Sequence, residues 1–69
     1  MSKFDVDDDY YKIADDEWLL EKIKYEKKNM RFYKSMISES TDNIQKCIIA
    51  LKAKHPDLII DDDYNVLIS

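Results

Sequence analysis

Asp5, Asp7 and Asp9 carry the spacing of the first three ligands of a calcium-binding loop. The rest of that loop is missing. The sharp turn that takes glycine falls on Tyr10, Lys12 sits inside the loop, and the last ligand position holds Asp16 where a bidentate glutamate is needed. The run is therefore not an EF-hand, and no metal site is expected. Nucleophilic catalysis needs a nucleophile, a base and an orienting group. The chain offers one cysteine and one histidine. Cys47 lies on an apolar stripe and His55 lies about two helical turns further on, so the two do not meet on one helix. Cys47 reads as a small core residue, and His55 as a helix-end group facing the dipole. Carboxylates are plentiful, but a chain of 69 residues shows no evident cleft to shift their pKa values. Glycine is absent, which removes P-loops and dinucleotide fingerprints. The expectation is a chain that is not an enzyme and holds no cofactor.

Charge is more informative. Residues 1–17 carry Asp5, Asp7, Asp8, Asp9, Asp15, Asp16 and Glu17 against Lys3 and Lys12, a net −5. Residues 18–55 are net +5, with Lys22, Lys24, Lys27, Lys28, Arg31 and Lys34 concentrated in the first half. The C-terminal stretch brings Asp57, Asp61, Asp62 and Asp63, and the whole chain is −4. The plainest reading is self-complementarity, with acidic ends lying on a basic middle. A sharper reading is an acidic surface that imitates nucleic-acid phosphates. Direct nucleic-acid binding by the basic middle ranks below both.

These groups are positioned by a long helical segment, 15–54. Asp15, Asp16 and Glu17 precede Trp18-Leu19-Leu20, where the helix dipole favours acids, and Asp15 or Asp16 is the candidate N-cap. Lys52, Lys54 and His55 close the segment, and Pro56 stops it. Ile23, Met30, Ile37, Ile44 and Leu51 recur every seven residues. Leu19, Tyr33 and Cys47 occupy a companion line that Glu26 and Ser40 interrupt. A straight helix over this segment would be about 60 Å long. The alternative is an antiparallel helical hairpin broken near Ser38–Asn43, a run of weak helix formers and good caps. The unbroken register and the lack of glycine or proline favour one long helix, seamed as a coiled-coil-like homodimer.

The flanking segments, 1–14 and 56–69, are expected to be short and extended. Leu58–Ile60 and Val66–Ile68 are β-prone runs around an Asp-rich turn, and Phe4-Asp5-Val6 could add a third strand. Val6–Ile13 and Ile60–Leu67 also resemble each other. Turns needing positive φ should fall on Asn or Asp. Tyr25, Phe32 and Tyr33, with Trp18, form either packing for the ends or an exposed anchor patch for a partner. Interleaved with Lys28, Arg31 and Lys34 they could also stack on nucleic acid. No signal peptide and no membrane span are evident, and a lone thiol suits a reducing compartment, so a cytoplasmic location is expected. A single small domain with no disulfide or metal staple is expected to gain stability from a partner.

Tyr11-Lys12-Ile13-Ala14-Asp15-Asp16-Glu17-Trp18-Leu19-Leu20-Glu21-Lys22-Ile23-Lys24 resembles the start of the phage Gam-like host-nuclease inhibitor family, with Trp18, Leu19, Lys22 and Ile23 matching its helix-opening pattern. The resemblance covers about residues 11–40, and the chain is shorter than typical members. It implies a phage-encoded, helical, dimeric protein that blocks a host nucleic-acid enzyme in the host cytoplasm. On this reading Asp5, Asp7, Asp8, Asp9, Asp15, Asp16, Glu17, Asp61, Asp62 and Asp63 contact a host nuclease or CRISPR effector. Leu19, Ile23, Met30, Tyr33, Ile37, Ile44, Cys47 and Leu51 form the dimer or core seam. A coiled-coil adaptor homodimer without inhibitory activity is the alternative.

Overall fold

A computed structural model describes residues 4–67. Three helices and a two-stranded sheet follow in order: α1 (Tyr10–Ile13), α2 (Asp16–Phe32), α3 (Ile37–Lys54), β1 (Ile59–Ile60) and β2 (Val66–Leu67), with a single 3-10 turn at Lys34–Met36 between α2 and α3. The chain is mostly helical, and α2 and α3 pack against each other as a hairpin.

The expected ends of the helical segment are found. Asp15 caps α2: its backbone is extended and its Oδ1 accepts the Trp18 backbone N–H at 2.8 Å. At the other end, His55 closes α3 just before Pro56. The continuous helix between them is not found. Tyr33 turns extended at φ −128°, ψ 93°, and the chain reverses. The molecule measures 32 × 25 × 16 Å, about half the length of the expected rod. Energetics favour the fold-back. It buries Leu19, Ile23, Ile44, Ile48 and Leu51 within one chain. Each such side chain contributes about 1.5–3 kcal/mol, so the five give on the order of 10 kcal/mol. The break forfeits only a few helical hydrogen bonds, at about 0.5–1.5 kcal/mol each. Two bonds bridge it, from Tyr33 N–H to the Asn29 carbonyl and from Met36 N–H to the Tyr33 carbonyl.

The hairpin alternative is the one found, with its reversal just before the weak helix formers and not among them. Ser38–Asn43 are fully inside α3. Their caps go unused because the buried face of α3 (Ser40, Ile44, Cys47, Ile48 and Leu51) runs straight through them.

Both ends wrap the hairpin. Phe4 lies in a turn rather than a strand, with its ring 5.6 Å from Trp18 and 4.8 Å from Tyr25. Tyr10 and Tyr11 meet Trp18 edge-on at 4.9 and 5.6 Å. Packing by the N-terminal segment therefore explains Trp18 and Tyr25, while Phe32 and Tyr33 remain exposed. At the other end β1 pairs antiparallel with β2, Ile59 opposite Leu67 and Ile60 opposite Val66. Ile60 and Val66 face the core, and Ile59 and Leu67 face out, as the two-residue strand period dictates. Ile68 lies outside the described residues. The likeness between 6–13 and 60–67 does not extend to structure, since the first ends in a helical turn and the second is a hairpin.

With no glycine available, the positive φ among the described residues falls on Tyr64 (63°), not on Asn or Asp. Asp61 enforces it. One of its oxygens accepts the backbone N–H groups of Asp63 and Asn65, and the other accepts the Asn65 amide. The Tyr64 ring meanwhile packs against the core.

Candidate functional site

The acidic residues of the N-terminal segment divide by what they touch. Asp5, Asp7, Asp8 and Asp9 are all exposed. Asp8 accepts a 2.8 Å hydrogen bond from Lys46 Nζ on α3, and that contact raises the Lys46 pKa. Asp15 is consumed as the cap of α2. Asp16 receives His55 Nε2 at 2.6 Å and lies 3.6 Å from Lys54 Nζ. The His55 hydrogen bond is the main reason the Asp16 carboxyl is held below the usual carboxylate range. Lys54 also donates to the Ala14 carbonyl, tying the start of α2 to the end of α3. Among the described residues, the carboxylates of Asp5, Asp7, Asp9 and Glu17 have no hydrogen-bond or ion-pair partner.

The C-terminal acids divide in the same way. Asp61 is spent on its own turn, and the hydrogen bonds it accepts from Asn65 and Asp63 lower its pKa. Asp62 and Asp63 are exposed. The two acidic ends do not converge on one surface. The N-terminal run lies against Lys22 and Lys46, and the C-terminal turn is latched to Lys27, whose Nζ donates to Asn65 Oδ1 at 2.7 Å. Lys22 and Lys27 are about 140° apart around α2 at about 100° per residue.

The seam is a core. Leu19, Ile23, Ile44, Cys47 and Leu51 are buried in the hairpin interface, and Met30 is half-buried. Tyr33 and Ile37 belong to neither a core nor a continuous seam: the reversal between them leaves both exposed. The supposed interruptions are instead part of the buried face. Glu26 is 3 % exposed and Ser40 is 0 % exposed. Glu26 Oε1 accepts Lys22 Nζ at 3.2 Å, and its Oε2 accepts the Asn43 amide at 3.1 Å, bridging α2 to α3. Lys22 also donates to the Phe4 carbonyl at 3.1 Å and lies 5.5 and 5.4 Å from the Phe4 and Tyr25 rings. A seven-residue count misses this cluster of buried Lys22 and Glu26 with half-buried Asn43. A helical count finds its α2 half, because positions 19, 22, 23 and 26 share one face. The Ser40 hydroxyl is fully buried without a hydrogen-bond partner among the described residues.

A polar cleft of about 440 Å³ opens beside this cluster, between Phe4, Tyr11 and Lys46. Burial, with a smaller contribution from Cys47, raises the Tyr11 hydroxyl to about 12. Burial likewise pushes the Cys47 thiol up to about 12, so it is protonated at neutral pH. His55 is at the surface on Asp16, and Cys47 is sealed in the core. Among the described residues, no three His, Cys, Asp or Glu side chains are placed to hold a metal ion. No described helix is long and apolar enough to cross a membrane.

Apart from buried Lys22, the basic residues of α2 take the side away from α3. Lys24, Lys27, Lys28 and Arg31 line a groove of about 1040 Å³ whose opposite wall is the turn Asp62–Asn65. Phe32 stands at its end, 64 % exposed. Exposed Tyr33 and Ile37 flank the helical reversal nearby in sequence. No family model matches this chain, and no curated protein or solved structure matches it either.

Proposed function

We propose that this chain is a non-catalytic binding module that docks on, and inhibits, a nucleic-acid-processing protein of a host cell, with the outward N-terminal carboxylates as the contact. The observation that carries this reading is the split among the acids. The fold uses Asp8, Asp15, Asp16 and Asp61 internally. It leaves Asp5, Asp7 and Asp9 exposed and unpaired on one short segment, where they would meet a phosphate-binding surface. The similarity to Gam-like inhibitors adds little. Its four matching residues, Trp18, Leu19, Lys22 and Ile23, are all buried, and packing accounts for them. The test is the triple variant Asp5→Asn, Asp7→Asn, Asp9→Asn. It should keep the wild-type circular dichroism and lose inhibition across a panel of host nucleases and CRISPR effectors. If the wild-type protein leaves the whole panel uninhibited at micromolar concentration, the proposal is wrong.

The second reading is an adaptor that self-associates. It is favoured by exposed Phe32, Tyr33 and Ile37 around the helical reversal, because the seam is already buried within one chain and a dimer would need another apolar surface. Sedimentation of wild type beside Phe32→Ser, Tyr33→Ser tests it. A wild type that stays monomeric at high micromolar concentration removes this reading.

A further inference from the structure

We infer that the groove between α2 and the C-terminal turn binds single-stranded nucleic acid, with phosphates on the helix wall and bases on the turn wall. The two walls differ in chemistry. Lys24, Lys28 and Arg31 are exposed, share one face of α2 and have no hydrogen-bond or ion-pair partner among the described residues. They span about 10 Å along the helix at about 1.5 Å per residue. Three unneutralised cations in a row attract a backbone of successive phosphates. The opposite wall is not cationic. It presents the carboxylates of Asp62 and Asp63, with half-buried Tyr64 behind them, and the exposed Phe32 ring stands at the groove end.

Carboxylates repel phosphate but accept hydrogen bonds from base amino groups, and aromatic rings stack on base faces. A strand lying in the groove therefore has one satisfactory orientation. A duplex does not fit the same walls, because its second backbone would meet Asp62 and Asp63. The groove is also held open before any ligand arrives. Lys27 donates to Asn65, and Asn65 is clamped by Asp61, so the turn is fixed at a set distance from the helix. The volume, about 1040 Å³, exceeds what a single phosphate needs and suits several nucleotides.

The chain as a whole is −4, so attraction rests on the groove and not on net charge. The test is fluorescence anisotropy of labelled twelve-nucleotide DNA and RNA, single-stranded and as duplex, titrated with the full chain. Single strands should bind, with a log–log salt slope of about −2, the value for three phosphate contacts at about −0.7 each. Raising salt from about 50 to 200 mM should then weaken binding about 20-fold. Lys28→Gln with Arg31→Gln should abolish it, and Phe32→Ala should weaken it about tenfold. Lys52→Gln, an exposed lysine on α3 outside the groove, should leave it unchanged. Equal affinity for duplex, an equal loss in Lys52→Gln, or no binding at 50 mM salt would each overturn the inference. The Asp5, Asp7, Asp9 variant should still bind the oligonucleotide, which separates this site from the proposed protein contact.

Discussion

Replacing Glu26 with alanine should be among the most damaging single changes in the molecule. Both partners of the Lys22–Glu26 pair are buried, with side chains 5 % and 3 % exposed. Removing one member of a buried pair costs about 3–5 kcal/mol, because the other charge stays desolvated. Lys22 keeps the Phe4 carbonyl and two aromatic rings, which places the cost at the lower end, about 3 kcal/mol. A 69-residue domain has about 3–10 kcal/mol in all. Urea unfolding followed by circular dichroism and Trp18 fluorescence reads the change. With a slope of about 1 kcal/mol per molar, the midpoint should fall by about 3 M, or the variant should already be unfolded in water. The double variant Lys22→Met, Glu26→Leu is the control. It removes both charges and keeps the volume, so it should match or exceed wild type. Half-buried Asn43 loses its acceptor in both variants and can turn to solvent. A loss below about 1 kcal/mol in the single variant, or a double variant less stable than the single, would refute the desolvation argument.

Asp16 should shape the acid limb of stability. Its folded pKa is depressed, mainly by His55, so its contribution is complete above the unfolded value of 3.8 and is lost as pH falls through the lower folded value. Asp16→Asn should therefore be less stable than wild type at pH 6, with the gap closing below pH 3.8; a gap that does not close contradicts the assignment. Cys47, with its thiol raised to about 12 and its side chain buried, should resist a disulfide reagent at pH 8 and react in step with urea unfolding; fast reaction of native protein would place it outside the core. Small-angle scattering should give a radius of gyration near the 11.6 Å of the Cα trace, whereas a straight helix over 15–54 would give about 17 Å.

The helix boundaries were legible because they are local: Asp15, the first-turn acids, the terminal lysines and Pro56 act on their own backbone. The C-terminal hairpin was legible for the same reason, from the β-prone runs Leu58–Ile60 and Val66–Ile68 on either side of an Asp-rich turn. The reversal was not, because nothing at Tyr33–Met36 breaks a helix. What decides it is distant. Leu19 and Ile23 gain more by meeting Ile44 and Leu51 than Tyr33 loses by leaving the helix. Glu26 and Ser40 mislead for a related reason. A residue that looks like a gap in an apolar line can still be interior: Glu26 finds a partner across the fold in Asn43 on α3, and Ser40 is small enough to be enclosed on the buried face of α3 without one among the described residues. The acidic candidates could be listed from sequence, but for Asp8 and Asp16 the division into paired and unpaired sets depends on contacts nearly forty residues apart, with Lys46 and His55.

That division also predicts how stability and binding trade against each other. Carboxylates crowded on one segment repel one another, and a group without a compensating partner contributes only that repulsion. Asp5, Asp7 and Asp9 are in this position, so neutralising them should leave stability unchanged or raise it slightly. Asp15 is the opposite case. Its carboxylate satisfies a helix N–H, and Asp15→Ala should cost about 1 kcal/mol. The two substitutions together sort structure from function. If Asp5, Asp7 and Asp9 serve binding, their Asn variants lose the partner while melting no lower than wild type. If melting instead drops as it does for Asp15→Ala, those carboxylates are structural, and the N-terminal segment is a strap for the hairpin with no surplus charge to offer a partner.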